Sequence, residues 1–171
     1  MKPFDPLGGL ERLLDHEVDF VVIGGLAARL HGSPTVTDDL DICHSKERTN
    51  LEKLASALAS MNAYLRLPDP DERVDAVLDW RLLHATDNLT LATDFGSLDC
   101  LARPAGITSF DEMKARATIV DLESIQIRVA SLDDLIAMKQ AAGRRKDLIE
   151  LEVLAALKDE IGPSRSSPQG L

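Results

Sequence analysis

The stretch Val21-Val22-Ile23-Gly24-Gly25, followed thirteen residues later by Asp39-Leu40-Asp41-Ile42, decides the fold. A β-branched apolar run closed by two glycines is typical of a buried strand that turns directly into a helix. In the second stretch acids alternate with apolar residues, so an extended chain points both acids to one face and packs both apolar residues into the core. The order strand, helix, strand indicates the α/β class.

Apolar spacing extends this alternation through the rest of the chain. We expect helices near residues 10–18, 26–31, 51–61, 131–142 and 144–159, and further strands at 89–93, 97–101, 118–122 and 125–130. Gly8-Gly9 is expected to precede the first helix, and Ser131 with Asp134 forms a capping-box pattern. The predicted architecture is α/β (α+β), a mixed β-sheet flanked by helices with a C-terminal helical extension over about 131–159.

Composition limits the class of protein. The chain has 171 residues, 44% of them hydrophobic, and a net charge of −10. These values predict a single domain over residues 1–160. Residues 162–171 contain Pro, Ser and Gly without apolar periodicity, which predicts a disordered tail. No apolar run reaches the roughly 18 residues of a membrane-spanning helix and the N-terminus does not resemble a signal peptide, so we expect a cytoplasmic protein with no membrane contact. Cys43 and Cys100 are expected to be reduced. The net negative charge disfavours sequence-independent binding to the phosphate backbone of nucleic acids, because that mode needs a basic surface.

Three aspartates are the candidates for chemistry. Asp39 and Asp41 share a strand face, and Asp99 lies inside the short apolar strand Leu98-Asp99-Cys100-Leu101. Mg²⁺ takes carboxylate oxygens together with phosphate oxygens, and a two-metal site needs acids that converge. A solvated acidic edge strand is the alternative for the first two acids alone. The glycine-closed strand before them and Asp99 after them favour a site.

Gly24 and Gly25 have two compatible interpretations. Glycines allow a tight turn from strand to helix. The same lack of Cβ atoms lets phosphate oxygens approach the backbone N–H groups at the start of the helix.

Taken in order, Gly24-Gly25, Asp39-x-Asp41 and Asp99 resemble the nucleotidyltransferase superfamily of the DNA polymerase β type. Residues 19 to about 155 further resemble the minimal bacterial proteins related to AbiEii toxins, MenT-type tRNA-modifying toxins and MNT-type antitoxins. Four strings carry the resemblance: Gly24-Gly25-Leu26-Ala27, His31-Gly32-Ser33-Pro34, Thr37-Asp38-Asp39-Leu40-Asp41-Ile42 and Ser131-Leu132-Asp133-Asp134-Leu135-Ile136-Ala137-Met138-Lys139.

The resemblance implies a transferase with the nucleotidyltransferase fold. Such an enzyme moves a nucleoside monophosphate from a nucleoside triphosphate, ATP among them, to an acceptor, and pyrophosphate leaves. The acceptor could be a tRNA 3′ end, a protein hydroxyl or a small molecule. Asp39 and Asp41 would be catalytic residues that bind Mg²⁺. The resemblance implies two Mg²⁺ ions, and Mn²⁺ could replace them. Asp99 would complete the metal site and accept a proton, while Gly24 and Gly25 position phosphates. A toxin–antitoxin or phage-defence context, with a cognate partner, is implied as well.

Lys139 lies in the middle of the apolar face of its predicted helix, where a charged side chain is unusual. Either its side chain extends past the core to solvent, or it reaches the cleft and binds a phosphate, as the AbiEii-like pattern implies. Asp147 is expected to pair with Lys139 or an arginine, which would make it part of the nucleotide-binding set or a structural ion pair.

A second interpretation comes from a different class of protein. A catalytically silent chain could keep the fold and use its surface to bind a partner, as an antitoxin-like module does. The presence of all three aspartates disfavours this interpretation.

Overall fold

The computed structural model describes residues 3–69, 74 and 76–162. The helices are α1 (Pro6–Asp15), α2 (Gly24–Leu30), α3 (Arg48–Ser60), α4 (Trp80–Ala85), α5 (Phe110–Arg116), α6 (Leu132–Ala142) and α7 (Arg145–Ile161). The strands are β1 (Phe20–Ile23), β2 (Asp39–His44), β3 (Tyr64–Leu65), β4 (Asn88–Thr93), β5 (Gly96–Leu101), β6 (Thr118–Leu122) and β7 (Ile125–Val129). Apart from Gly162, the tail predicted at 162–171 lies outside the described residues.

The seven strands form one mixed sheet in the order β3-β4-β5-β2-β1-β7-β6. β2 runs antiparallel to β1 and parallel to β5, while β1 is also parallel to β7. Hairpins join β4 to β5 and β6 to β7, which are strands that the sequence predicts. α3 packs against α1 and α4, whereas α6 packs against α2 and α7. The predicted mixed sheet with flanking helices is confirmed.

The central strands owe their position to apolar side chains. All four residues of β1 are buried, and on β2 the alternate residues Leu40 and Ile42 are 4% and 0% exposed. On β5, Leu98 and Cys100 occupy the equivalent positions opposite them. The core therefore fixes one face of β2 and β5, and the residues between these positions must face the other way.

The first helix begins earlier than the sequence predicts. Gly8 and Gly9 lie inside α1 rather than before it, because the Asp5 carboxylate caps the helix by accepting a hydrogen bond from the Gly8 N–H at 3.0 Å. A Cβ at Gly8 would lie 2.7 Å from the Phe95 ring. The glycine thus serves close packing against the β4–β5 hairpin rather than helix initiation.

The C-terminal helices follow their predicted signals. Ser131 caps α6 by accepting a hydrogen bond from the Asp134 N–H at 3.1 Å, and Gly143 ends the helix in the left-handed conformation.

Cys43 and Cys100 are buried and do not form a disulfide. Among the helices of the described residues, none is both long and apolar enough to cross a membrane.

Candidate active site

The structure places Asp39, Asp41 and Asp99 together on one face of the sheet. β2 and β5 are parallel neighbours in a register that sets Asp41 opposite Asp99 and Asp39 opposite Ser97. Residues two apart on a strand share a face, so the three carboxylates converge. They line a cleft of about 610 Å³, together with Gly24, Gly25 and Lys139.

Asp41 has the most perturbed carboxyl group of the cleft. Burial, the largest cause, and the neighbouring charges of Asp99 and Asp39 together raise its pKa from 3.8 to about 7. The charge of Lys139 and a hydrogen bond from the Gly25 N–H act the other way but are weaker. A cation brought among these carboxylates would favour the ionised form.

Asp99 is also an unsatisfied acid. Burial raises its pKa, although the charge of Arg66 and a hydrogen bond from Thr90 oppose the shift. Its Oδ1 atom is buried and has no hydrogen-bond partner among the described residues. A buried carboxylate oxygen without a donor is costly, and a bound cation is one way to satisfy it.

Gly24 is required at the turn from β1 into α2. Its φ of +66° lies in the left-handed region, and a Cβ there would overlap the Asp41 carboxylate. A Cβ at Gly25 would lie 2.8 Å from the Thr37 side chain. Both glycines therefore let the strand-to-helix turn lie directly against the acids and the segment that leads into β2.

We expect Gly24→Ala to destabilise the protein by about 3 kcal/mol, because a left-handed alanine costs roughly 1 kcal/mol and the overlap with Asp41 adds to it. The displaced carboxylate should also weaken Mn²⁺ binding. Urea denaturation and a Mn²⁺ titration measure the two effects.

Gly143→Ala is the matched control for this change. Gly143 has a similar φ of +62°, but its Cβ would meet only the Gln140 carbonyl oxygen, at 4.0 Å. It should cost about 1 kcal/mol and leave Mn²⁺ binding unchanged. Equal losses of stability in the two variants would mean that Gly24 makes no close contact with Asp41.

Lys139 lines the cleft and forms an ion-pair cluster with the buried Asp147 beneath it. The Lys139 Nζ lies 3.2 Å from Asp147 Oδ1 and also pairs with Glu150. Arg144 donates to Asp147 Oδ2 from its backbone N–H at 3.2 Å and from Nε at 2.9 Å. The Asp147 side chain is 0% exposed. Burial tends to raise the pKa of Asp147, but the hydrogen bonds from Arg144 and Lys139 prevail and lower it.

The predicted ion pair between Asp147 and Lys139 is present, and Arg144 is the arginine that joins it. Lys139 lines the cleft, whereas the Asp147 carboxylate lies beneath it. Asp147 can therefore act on a ligand only through the cations that it holds.

Arg66 is a site residue that the sequence analysis misses. It follows the two-residue strand β3, and its Nη1 atom lies 3.2 Å from Asp39 Oδ1. Its Nη2 atom lies 3.9 Å from Asp99 Oδ1. No motif precedes Arg66, and only the pairing of β3 with β4 brings it to the acids.

The acids fit a divalent metal ion in their chemistry. Carboxylate oxygens are the ligands that Mg²⁺ and Mn²⁺ prefer, and a bound cation would favour ionised Asp41 and satisfy Asp99 Oδ1, which has no hydrogen-bond donor among the described residues. Within residues 3–69, 74 and 76–162, no three His, Cys, Asp or Glu side chains are already spaced to hold an ion. The Arg66 guanidinium is the cation that contacts the cluster.

Solved structures share this architecture. TM1012 of Thermotoga maritima, a protein assigned to the nucleotidyltransferases, superposes with a TM-score of 0.54 at 17% identity over 92% of this chain and 98% of its own. The lincosamide antibiotic adenylyltransferase LnuA, bound to lincomycin, gives a TM-score of 0.55 at 13% identity, over 89% of this chain and 98% of its own. The chain has the nucleotidyltransferase fold.

ANT(2″)-Ia, in complex with adenylyl-2″-tobramycin, also superposes on this chain. The TM-score is 0.53 at 16% identity, over 90% of this chain and 87% of its own. No protein-family model matches the sequence, and neither does any curated protein. At these identities the likeness establishes the nucleotidyltransferase fold. The AbiEii, MenT and MNT-like subtype stays a prediction.

Proposed function

We propose that this protein is a metal-dependent nucleotidyltransferase. It transfers a nucleoside monophosphate from a nucleoside triphosphate to an acceptor hydroxyl, and pyrophosphate leaves. The observation that carries the proposal is the register that sets Asp41 opposite Asp99, with Asp39 on the same face, beside the Gly24-Gly25 turn. The shared fold with two antibiotic-modifying proteins, LnuA and ANT(2″)-Ia, supports it.

The three acids divide the work in this proposal. Asp39 and Asp41, with Asp99 completing the site, would hold one or two Mg²⁺ or Mn²⁺ ions, and the bound metal would neutralise charge on the phosphoryl oxygens. Asp99, with its raised pKa, accepts the proton of the acceptor hydroxyl. The freed oxygen forms a bond to the α-phosphorus as the bond to pyrophosphate breaks.

Gly24, Gly25 and Lys139 bind the phosphates in this proposal. Gly24 and Gly25 lack side chains, so the triphosphate can approach the start of α2. Lys139, which lines the same cleft, offers its ammonium group, and Asp147 holds that group in place. The role of Asp147 is positioning.

The acceptor we propose is a hydroxyl of a tRNA 3′ end or of a protein, in a cytoplasmic toxin–antitoxin or phage-defence system with a cognate partner. The sequence resemblance supports these macromolecular acceptors. LnuA and ANT(2″)-Ia, bound to lincomycin and adenylyl-tobramycin, direct attention to a small-molecule hydroxyl as a further acceptor to test.

The test is incubation of the purified protein with Mg²⁺ or Mn²⁺, each labelled nucleoside triphosphate in turn, and an acceptor. Total tRNA, a cell extract and hydroxylated antibiotics cover the three acceptor classes. We expect wild-type protein to transfer the label to one acceptor class. The Asp41→Ala variant should label none of them. Label that enters none, or enters equally with the variant, would overturn the proposal.

A partner-binding protein is the second candidate function. Leu148 and Ile149 are adjacent on α7, and their side chains are 59% and 70% exposed. Neighbouring exposed apolar side chains are more typical of an interaction surface than of a solvated helix. If no acceptor is labelled, retention of the neighbouring gene's product by wild-type protein, but not by Leu148→Asp protein, would support this function.

A further inference from the structure

Arg66 reaches the acidic cluster across two strands. Its backbone N–H donates to the Thr90 carbonyl at 2.9 Å, which extends the pairing of β3 with β4 by one residue. Thr90 lies opposite Asp99, and Asp99 lies opposite Asp41. Directly paired residues point to the same face of a sheet. One row of the sheet thus carries a guanidinium at one end and two partly buried acids at the other.

The guanidinium binds the oxygens that a metal ion would need. Nη1 donates to Asp39 Oδ1 at 3.2 Å and to Ser97 Oγ at 2.6 Å, and Nη2 lies 3.9 Å from Asp99 Oδ1. A guanidinium cannot lose its proton in a protein, so this positive charge is permanent. A divalent cation on the same carboxylates would face both repulsion from that charge and competition for those oxygens.

We propose that Arg66 is a resident counter-cation of the acidic cluster, and that its contacts with Asp39 and Asp99 compete with divalent metal binding at those oxygens. The inference rests on the proposed function, because that function requires a metal at these acids. It explains why three acids converge without the spacing of a metal site in the described residues. Metal entry therefore requires Arg66 to leave.

The surroundings of Arg66 allow such a movement. Its side chain is 34% exposed, whereas Asp99 beside it is 25% exposed. β3 is a two-residue strand at the edge of the sheet, where it pairs with β4. Among the described residues, the shortest contact of the guanidinium is with the neutral Ser97 hydroxyl rather than with an acid. Ser97 therefore stabilises the position that blocks the metal.

The test measures Mn²⁺ binding by electron paramagnetic resonance, without nucleotide or acceptor. We expect Arg66→Gln to lower the Mn²⁺ dissociation constant roughly tenfold, since one repelling charge in direct contact is removed. We also expect metal-free Arg66→Gln protein to unfold at a lower urea concentration at pH 8, because the acids lose their counter-cation.

Two further variants sharpen the experiment. Arg103→Gln removes the same charge from another residue of the cleft, one that lies 3.9 Å from Asp87 instead of contacting the cluster. It should change the dissociation constant less than about twofold. Ser97→Ala removes only the 2.6 Å hydrogen bond, and we expect it to tighten Mn²⁺ binding about threefold even if Arg66→Gln fails to fold.

The outcomes separate this inference from the proposed function. The inference is overturned if Arg66→Gln and Ser97→Ala bind Mn²⁺ no more tightly than wild type. It is also overturned if Arg103→Gln tightens Mn²⁺ binding equally. A loss of stability in Arg66→Gln without tighter Mn²⁺ binding would mean that Arg66 has only a structural role. Mn²⁺ binding by neither wild-type nor variant protein also overturns it. If the variants tighten Mn²⁺ binding as expected but no acceptor is ever labelled, the proposed function fails while this inference stands.

Discussion

Asp41→Asn should abolish transfer while making the metal-free protein more stable. The variant loses a negative ligand for the metal, and we expect a fall in transfer rate of roughly 1,000-fold or more, because metal ions contribute several kcal/mol to such reactions. Its effect on folding has the opposite sign. The native fold disfavours the Asp41 charge, as its pKa of about 7 indicates, and asparagine carries none.

The stability gain depends on pH in a definite direction. Native Asp41 keeps its proton up to a pKa of about 7, whereas the unfolded chain releases it near 3.8. Wild-type stability therefore falls as the pH rises between these values and levels off above them. Asparagine avoids this loss, so we expect a gain of about 2–4 kcal/mol at pH 8 that shrinks as the pH falls towards 4.

Urea denaturation in EDTA at several pH values measures this gain. Asp38→Asn, at the exposed neighbouring acid, is the control and should change stability by less than about 0.5 kcal/mol. If Asp41→Asn protein is less stable than wild type at pH 8, then Asp41 is a structural residue and its assignment to the metal site is wrong.

The largest loss of stability is expected for Asp147→Asn. The Asp147 carboxylate is fully buried and accepts hydrogen bonds from Lys139 and from both the backbone and the side chain of Arg144. An amide leaves two cations without their buried partner, a change that typically costs about 3–5 kcal/mol. The start of α7 should loosen too, because Asp147 caps it.

Urea denaturation at pH 7 measures the loss, with Glu152→Gln as the control. Glu152 is an exposed acid on the same helix, so its change should be within about 0.5 kcal/mol. The fold lowers the pKa of Asp147, so its stabilising effect is present at neutral pH and is lost as the pH falls through the native pKa. A change in Asp147→Asn no greater than in Glu152→Gln would show that the cluster does not stabilise the fold.

Local patterns predict the elements that carry the acids. Alternation along Asp39-Leu40-Asp41-Ile42 is sufficient to place both acids opposite a buried face, because the period of a strand is two. The capping pattern of Ser131 and Asp134 and the terminal Gly143 likewise determine α6 without tertiary information. The register of β2 with β5 is different, since it joins distant segments and follows from packing.

Residues on short elements escaped prediction for a physical reason. β3 has two residues and α4 has six, which is too short for an apolar period to be recognised. Arg66 gains its place only through the edge pairing of β3, so nothing in its local sequence marks it. The pairing of Lys139 with Asp147 is predictable from helix spacing, but the contribution of Arg144 depends on how α7 begins.

The most direct test of the central claim is a crystal structure with Mn²⁺ and a non-hydrolysable nucleoside triphosphate, with data collected for the anomalous signal of manganese. We expect manganese within coordination distance of the Asp39 and Asp41 carboxylates, the triphosphate in the same cleft, and Arg66 turned away from the acids. Manganese and nucleotide bound elsewhere, or not at all, would contradict the assignment of this cleft as the catalytic site.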